Sequence, residues 1–143
     1  VEVNCETDFV SRSDSFVALC KDIALHIAAA KPLYVEQSEV PVDVLNHEKE
    51  ILRAQALNEG KPEAIVDKMI EGRVKKFYEE VCLLEQTFVR SDLFDGDVKG
   101  YVASVAKALG AEIAVKSFTR FAKGEGIEKK ADDFAAEIAS MVK

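Results

Sequence analysis

The chain has 143 residues, a net charge of −7, 48% apolar residues and 31% charged residues, which is ordinary for a single globular domain with its own hydrophobic core. Acidic residues outnumber Lys and Arg, so a nucleic-acid-binding protein, which needs clustered basic residues, is not expected. The longest apolar runs, such as residues 27–30, are far too short to cross a membrane.

The first part of the chain predicts a strand followed by a helix. Val1, Val3 and Cys5 alternate with polar residues, which is typical of a half-buried strand. Ser13 can cap the helix that follows, and Pro32 stops it because proline disfavours a helical residue before it. The apolar stripe of this helix has helical spacing. It consists of Phe16, Leu19, Cys20, Ile23 and Ile27.

Two further helices are predicted after a loop at residues 31–40. The first begins near Pro41 and closes at Gly60, and the second begins at Pro62. Gly72 lies inside the second helix, where glycine costs about 1 kcal/mol relative to alanine. We therefore expect a kink or a break at that position.

The last part of the chain predicts two strands on either side of a helix. Residues 82–89 resemble a second strand, and residues 98–109 resemble a helix that Gly110 ends. The longest strand candidate covers residues 111–123, and a C-terminal helix is expected at residues 131–143.

This order of elements predicts the α+β class. We expect a three-stranded, mainly antiparallel sheet covered by helices on one side, although connections of this length neither require nor exclude parallel pairing. The whole chain, residues 1–143, is expected to form one domain that includes the C-terminal helix.

Catalytic and metal-binding patterns are not visible in the sequence. His26 and His47 lie near no cysteine, and the three cysteines are widely spaced, so neither a zinc site nor a Cys–His pair is expected. The glycines at positions 124 and 126 lack the Lys-Ser/Thr of a phosphate-binding loop. We therefore expect a binding protein without a cofactor or metal, not an enzyme, in a reducing compartment.

Phe9 is the candidate anchor for a binding partner. It follows the first strand, has polar neighbours on its N-terminal side, and is of the residue type that carries much of the binding energy at interfaces. A phenylalanine after a strand is also a common plug of the local core. The pattern alone leaves both interpretations open.

Seven segments, in order along the chain, resemble motifs of the elongation factor Ts family. They are residues 3–10 (VNCETDFV), 26–32 (HIAAAKP), 60–62 (GKP), 69–77 (MIEGRVKKF), 82–89 (CLLEQTFV), 120–128 (RFAKGEGIE) and 133–137 (DFAAE). A match of this breadth argues against chance.

The resemblance implies that the chain promotes GDP release from elongation factor Tu during translation elongation. In this family the Asp-Phe of the TDFV motif enters the GTPase domain near its magnesium site and lowers the nucleotide affinity. Carried over, Asp8 and Phe9 are expected to enter the GTPase, with Thr7 and Val10 shaping the turn. His26 matches a family position near the GTPase domain, although a structural histidine is an equal alternative.

Two departures from the family pattern bear on this expectation. The small helical module that precedes the TDFV motif in the family is missing, and the chain begins with Val1 instead of Met, so we expect an upstream segment that was removed or not included, and weaker partner binding. Residues 10–30 pass directly from the TDFV motif into the HIAAAKP helix, as in compact members with a single core subdomain. The resemblance to those members implies a homodimer.

A second function class stays open at this point. The chain could be a processed fragment that serves as a ribosome-associated or structural binding protein without exchange activity. The resemblance implies a cytoplasmic location for a bacterial protein, or a plastid or mitochondrial matrix location for an organellar one.

Overall fold

The computed structural model describes residues 1–128, and the C-terminal helix expected at residues 131–143 lies outside this part. The described residues form an α+β fold, as predicted. Its elements are β1 (Glu2–Cys5), α1 (Asp8–Ser11), α2 (Asp14–Ala30), α3 (Val42–Asn58), α4 (Glu63–Val81), α5 (Val98–Leu109) and β2 (Ile113–Ser117). None of the helices in this part combines the length and the apolar character that crossing a bilayer requires.

The sheet joins the two ends of the described chain. β1 pairs antiparallel with β2, with Val3 opposite Val115 and Cys5 opposite Ile113. These four side chains are half-buried, while the alternate residues on the other face are exposed. The predicted three-stranded sheet is not found, because within residues 1–128 the sheet has two strands. The strand expected at residues 111–123 is also shorter than predicted.

The segment predicted as the middle strand, residues 82–89, is not a strand. Cys82 ends α4, and Leu83–Glu85 forms a single 3-10 turn. Only isolated bridges occur here, one at Cys82 and one at Thr87. The segment is rich in apolar residues because it crosses the core, where Cys82, Leu83 and Phe88 are all buried. Burial of an irregular segment therefore produced the composition that predicted a strand.

The main core lies between α2, α5 and the segment after α4. Ser13 caps α2 as predicted, because its hydroxyl accepts a hydrogen bond from the Phe16 N–H. The rings of Phe88 and Tyr101 stack at the centre of this core with their centroids 4.3 Å apart. The buried members of the core are Leu19, Ile23, Ile27, Leu83, Phe88, Val98, Tyr101 and Val102. The half-buried face of the sheet packs against them.

Helices α3 and α4 form a hairpin with an apolar cluster of its own. This second cluster consists of Leu52, Ala56, Val66, Ile70 and Val74. Two ion pairs, Arg53–Asp67 and Arg73–Glu59, join the helices at the surface, where such pairs contribute little to stability. Of the two alternatives expected at Gly72, the break is not found, because α4 continues through this residue, and the kink stays a prediction.

The hairpin is attached to the main core at its base. The N–H groups of Leu33 and Tyr34 donate to the Val81 carbonyl at 2.8 and 3.1 Å, which ties the loop after α2 to the last turn of α4. The described residues therefore contain two apolar clusters connected by hydrogen bonds. That the whole chain folds as one domain stays a prediction.

Lys31 ends α2 in a conformation that favours glycine. Its φ angle is 54°, and it is the one non-glycine with positive φ among the described residues. Gly60 and Gly110 take the same left-handed conformation after α3 and α5, at no steric cost. A lysine at this position brings its Cβ close to the backbone, so the end of α2 carries conformational strain.

Replacing Lys31 with glycine should therefore stabilise the protein. We expect Lys31→Gly to raise the free energy of unfolding by roughly 0.5–1 kcal/mol, because the relieved strain exceeds the added flexibility of the unfolded chain. Urea unfolding measures this difference. Lys31→Ala is the control, since alanine keeps the strained Cβ and should bring no comparable gain. Equal stabilities of the two variants would contradict a left-handed Lys31.

Candidate partner-binding site

The TDFV segment, residues 7–10, forms a short capped helix where a turn was expected. Thr7 is extended and stands at the N-cap of α1, where its hydroxyl oxygen accepts from the Val10 N–H at 3.4 Å. The Cys5 thiol donates to the Thr7 carbonyl at 3.3 Å, which connects the cap to the end of β1. The strand therefore passes directly into α1, and Thr7 sets the point where the helix begins.

Phe9 points into solvent from this helix. Its exposed fraction is 85%, and the adjacent Asp8 is exposed as well, whereas Val10 is half-buried. The alternative that Phe9 plugs the local core is therefore wrong. An aromatic ring that remains in water loses the free energy that burial would contribute, about 1.5–3 kcal/mol for a side chain of this size.

Two serine hydroxyls bond to the backbone of α1, one within the helix and one from the N-cap of α2. The Ser11 hydroxyl donates to the Asp8 carbonyl at 3.0 Å, and the Ser13 hydroxyl donates to the Val10 carbonyl at 2.7 Å. Arg12 also pairs with the Asp8 carboxylate at 3.5 Å, but both side chains are largely exposed and the pair adds little. The backbone that carries Phe9 is thus positioned by Thr7 before it and by two serine side chains after it.

His26 lies inside the fold and has no exposed surface. Its Nδ1 accepts from the Val89 N–H at 3.2 Å, so Nδ1 carries no proton, and its Nε2 donates to the Gln86 side-chain oxygen at 2.9 Å. Both ring nitrogens are therefore used by the protein itself. This geometry matches the alternative of a structural histidine, and no contact with a partner is available from this position.

The structure does not bring His26 and the TDFV segment together. His26 lies twelve positions after Asp14 in α2, which corresponds to roughly 18 Å along the helix axis. Phe9 also lies before the start of α2 and faces solvent, whereas His26 faces the core. The TDFV segment is thus the exposed part of the candidate site, whereas His26 helps to hold α2 in the core.

Gln86 was predicted only as a member of the strand at residues 82–89, and its role in the structure was not foreseen. Its side-chain amide donates to the Glu80 carbonyl at 2.7 Å, while its oxygen accepts from His26. One side chain therefore links α2, the last turn of α4 and the segment that follows. The signal in the sequence was an amide inside an apolar segment, where a buried polar group needs hydrogen-bond partners.

A second buried contact joins α2 to α5. The Tyr101 hydroxyl donates to the Asp22 carboxylate at 2.8 Å, and the Arg90 guanidinium lies 3.6 Å from the same carboxylate. Burial, followed by the hydrogen bond to Asp22, raises the pKa of Tyr101 to about 12. Asp22 is thus a buried acid whose charge is matched, and the contact holds the middle of α2 in place.

The remaining groups of chemical interest are the possible metal ligands among residues 1–128 and the buried Cys82 thiol. Within residues 1–128 no three His, Cys, Asp or Glu side chains are grouped closely enough to hold a metal ion. Burial, with smaller contributions from nearby glutamates, raises the pKa of Cys82 to about 11, which disfavours its reactive thiolate form.

Comparison with known proteins identifies the family. The family model described as "Elongation factor TS" matches residues 17–125. The chain belongs to the elongation factor Ts family. The curated Elongation factor Ts of Desulforamulus reducens is 54% identical over 143 residues, which is 100% of this chain and 65% of that protein. The corresponding proteins of Desulfitobacterium hafniense and Geobacter sulfurreducens are 56% and 54% identical, over 96% and 98% of this chain and 63% and 64% of their own lengths.

The two kinds of comparison cover different parts of this chain. The family-model match begins at residue 17, after the TDFV segment, and includes His26, Gln86 and Tyr101. The similarity to the Desulforamulus reducens protein extends over the whole chain and so includes the TDFV segment. The chain spans less than two thirds of the length of these relatives.

The buried histidine predicts a pH-dependent stability. Burial lowers the pKa of His26 in the folded protein, although its hydrogen bond to Gln86 opposes this shift. As the pH falls, the unfolded chain therefore binds a proton at His26 before the folded protein does. The free energy of unfolding that the neutral, buried His26 contributes above about pH 6.5 is lost as the pH falls toward and through the folded-state pKa. We expect His26→Gln to be about 1–3 kcal/mol less stable at pH 7.5, yet to lose less stability between pH 7.5 and 5.5.

Urea unfolding at the two pH values tests this expectation. The matched control is His47→Gln, because His47 is exposed on α3. That variant should retain the pH dependence of the wild type. A His26→Gln variant with an unchanged pH dependence would show that His26 does not carry it.

Proposed function

We propose that this chain is a guanine-nucleotide exchange factor that promotes GDP release from elongation factor Tu during translation elongation. Membership of the elongation factor Ts family supports the choice of partner. The single observation that carries the proposal is the exposed Phe9 on a helix whose backbone is held by Thr7, Ser11 and Ser13. Because the similar proteins are bacterial, the proposed site of action is the cytoplasm.

The proposed mechanism uses the ring of Phe9 as a wedge. On docking, the ring leaves water and enters the GTPase domain, and the held backbone of α1 reduces the conformational entropy lost in binding. Asp8 precedes the ring and brings a carboxylate toward the magnesium and diphosphate site. The displaced elements of the GTPase hold the nucleotide less firmly, so GDP leaves and GTP can bind.

Thermodynamic reciprocity defines what such a factor does. A protein that binds the nucleotide-free GTPase more tightly than the GDP-bound form must lower the affinity for GDP by the same factor. No covalent bond is made or broken in this process. In this proposal the chain shifts the equilibrium of nucleotide binding and speeds the approach to that equilibrium. It is not an enzyme in the chemical sense.

We further propose that two copies of the chain associate through their sheets. The described sheet has only two strands, so each strand has an edge without a strand neighbour among these residues. A groove of about 300 Å³ lies beside β2, and its lining is mostly apolar, with Val102 and Val115 among its residues and Glu36 and Lys99 as its charged members. Such an edge is suited to pairing with another chain. In this proposal each copy is one core domain.

The decisive experiment is the release of a fluorescent GDP analogue from elongation factor Tu in a stopped-flow instrument. The wild-type chain should accelerate release, and Phe9→Ala should reduce this acceleration at least about tenfold, because an interface anchor typically contributes 2 kcal/mol or more. Circular dichroism should show an unchanged fold, since Phe9 makes no part of either apolar cluster.

Phe121→Ala provides the matched control. Phe121 is as exposed as Phe9, with 90% of its surface accessible, but lies in the segment after β2. This variant should retain most of the acceleration. An equal loss in both variants would contradict a specific wedge at Phe9. A wild-type chain that binds without accelerating release would favour the second candidate, a binding protein without exchange activity.

A further inference from the structure

The hairpin of α3 and α4 is packed mainly on itself. Among the described elements, α3 packs closely against α4, and α4 reaches the rest of the chain through the Leu83–Glu85 turn that follows it. The apolar side chains that the two helices bury form the second cluster, and none of them is also a member of the main core. Opening of the hairpin would therefore expose the second cluster and leave the buried side chains of the main core covered.

The chain enters and leaves the hairpin at one place, where its two ends are bonded to each other. The Leu83 N–H donates to the Tyr34 carbonyl at 2.8 Å, and the Leu84 N–H donates to the Val35 carbonyl at 3.0 Å. We call these bonds, together with those already described between this loop and the Val81 carbonyl, the base clamp. Because the base clamp joins both ends, the hairpin is a closed loop that leaves from the main core and returns to it at the same point.

The base clamp is supported from the side of the main core. Leu83 is itself a buried member of that core. The Gln86 side-chain amide donates to the Glu80 carbonyl in the last turn of α4 at 2.7 Å, while its oxygen is bonded to His26 of α2. The last turn of α4 is therefore held by the main core, and its place does not depend on the second cluster alone.

Less buried apolar surface holds the hairpin than holds the main core. The second cluster has five buried side chains, whereas the main core has eight and is covered further by the half-buried face of the sheet. The ion pairs between α3 and α4 lie at the surface and contribute little. Gly72 lies exposed inside α4, where glycine is an unfavourable residue. Because stabilisation by burial follows the apolar area removed from water, opening the hairpin requires less free energy than unfolding both clusters.

We infer that the hairpin is a separately opening unit, which unfolds and refolds while the main core and the base clamp stay folded. Proteins commonly open in such cooperative units, each with its own free energy. The segment that carries Phe9 is attached to β1 and α2, so it stays in place when the hairpin opens. The hairpin is thus a part of the fold that can change its shape without disturbing that surface. This inference goes beyond the proposed function and does not rest on it, so a chain without exchange activity would leave it standing.

Amide hydrogen exchange of the full chain, measured by NMR spectroscopy, tests the inference. After correction for intrinsic rates, amides in the middle of α3 and α4 should exchange at least about a hundredfold faster than the slowest amides of α2 and α5. The Leu83 and Leu84 amides, which bond across the base clamp, should belong to the slow set. Low concentrations of urea should accelerate exchange less steeply in the hairpin than in the main core, because opening the hairpin exposes less surface. One common opening free energy and one urea slope for both sets would overturn the inference.

A matched pair of variants gives a second test. Val66 of the second cluster and Val98 of the main core both have no exposed surface, and each is replaced by alanine. Val98→Ala should accelerate exchange of the main-core amides about tenfold and leave the hairpin amides unchanged, because the state with an open hairpin keeps Val98 buried. Val66→Ala should accelerate exchange of the hairpin amides about tenfold, and of the main-core amides by the same factor, because both opening reactions release Val66.

The contrast between the two variants decides the outcome. Equal acceleration of the hairpin and main-core amides in Val98→Ala would show that the chain opens as one unit, which would contradict the inference. Unchanged hairpin amides in Val66→Ala would show that the second cluster does not hold the hairpin, with the same consequence. Should either variant fail to fold, the opening free energies and urea slopes of the wild type decide the question.

Discussion

The hydrogen bond between His26 and Gln86 is the contact on which the arrangement of the helices depends. It lies at the point where α2, the last turn of α4 and the segment after α4 meet, and both side chains also bond to backbone groups there. Within the described residues every buried side-chain nitrogen and oxygen has a hydrogen-bond partner. A buried polar pair of this kind stabilises only in one geometry, because any other leaves its atoms unsatisfied in an apolar environment.

This constraint has a consequence for the candidate site at the other end of α2. With His26, Asp22 and the apolar side of the helix held in the core, the axis and rotation of α2 are set. α1 is tied to the start of α2 by Ser13 and to the end of β1 by the Cys5–Thr7 contact, so the position of Phe9 follows from the packing of α2 together with that of the sheet. His26 is buried and Phe9 is exposed, which is the reverse of what their residue types alone suggest.

Local patterns predicted the helices well and the sheet poorly. Ser13 and Gly110, which end or begin helices, act through neighbours within four residues, so their roles are visible in the sequence. The strand predicted at residues 82–89 is not found, because the apolar residues of this segment are buried in the core and do not pair with a neighbouring strand. In the candidate site, the TDFV segment was found from its family motif, whereas Gln86 was missed because its partner is 60 residues away.

The sequence by itself determined the family, the α+β class and the main helix boundaries, because motifs, caps and apolar spacing act over short stretches of chain. Only the tertiary structure decided that Phe9 is exposed, that His26 is buried and that α2 keeps an apolar outer side. These properties depend on which surfaces the packing of distant segments leaves uncovered. Periodicity shows that a helix has apolar sides, but only the packed neighbours decide which side is covered.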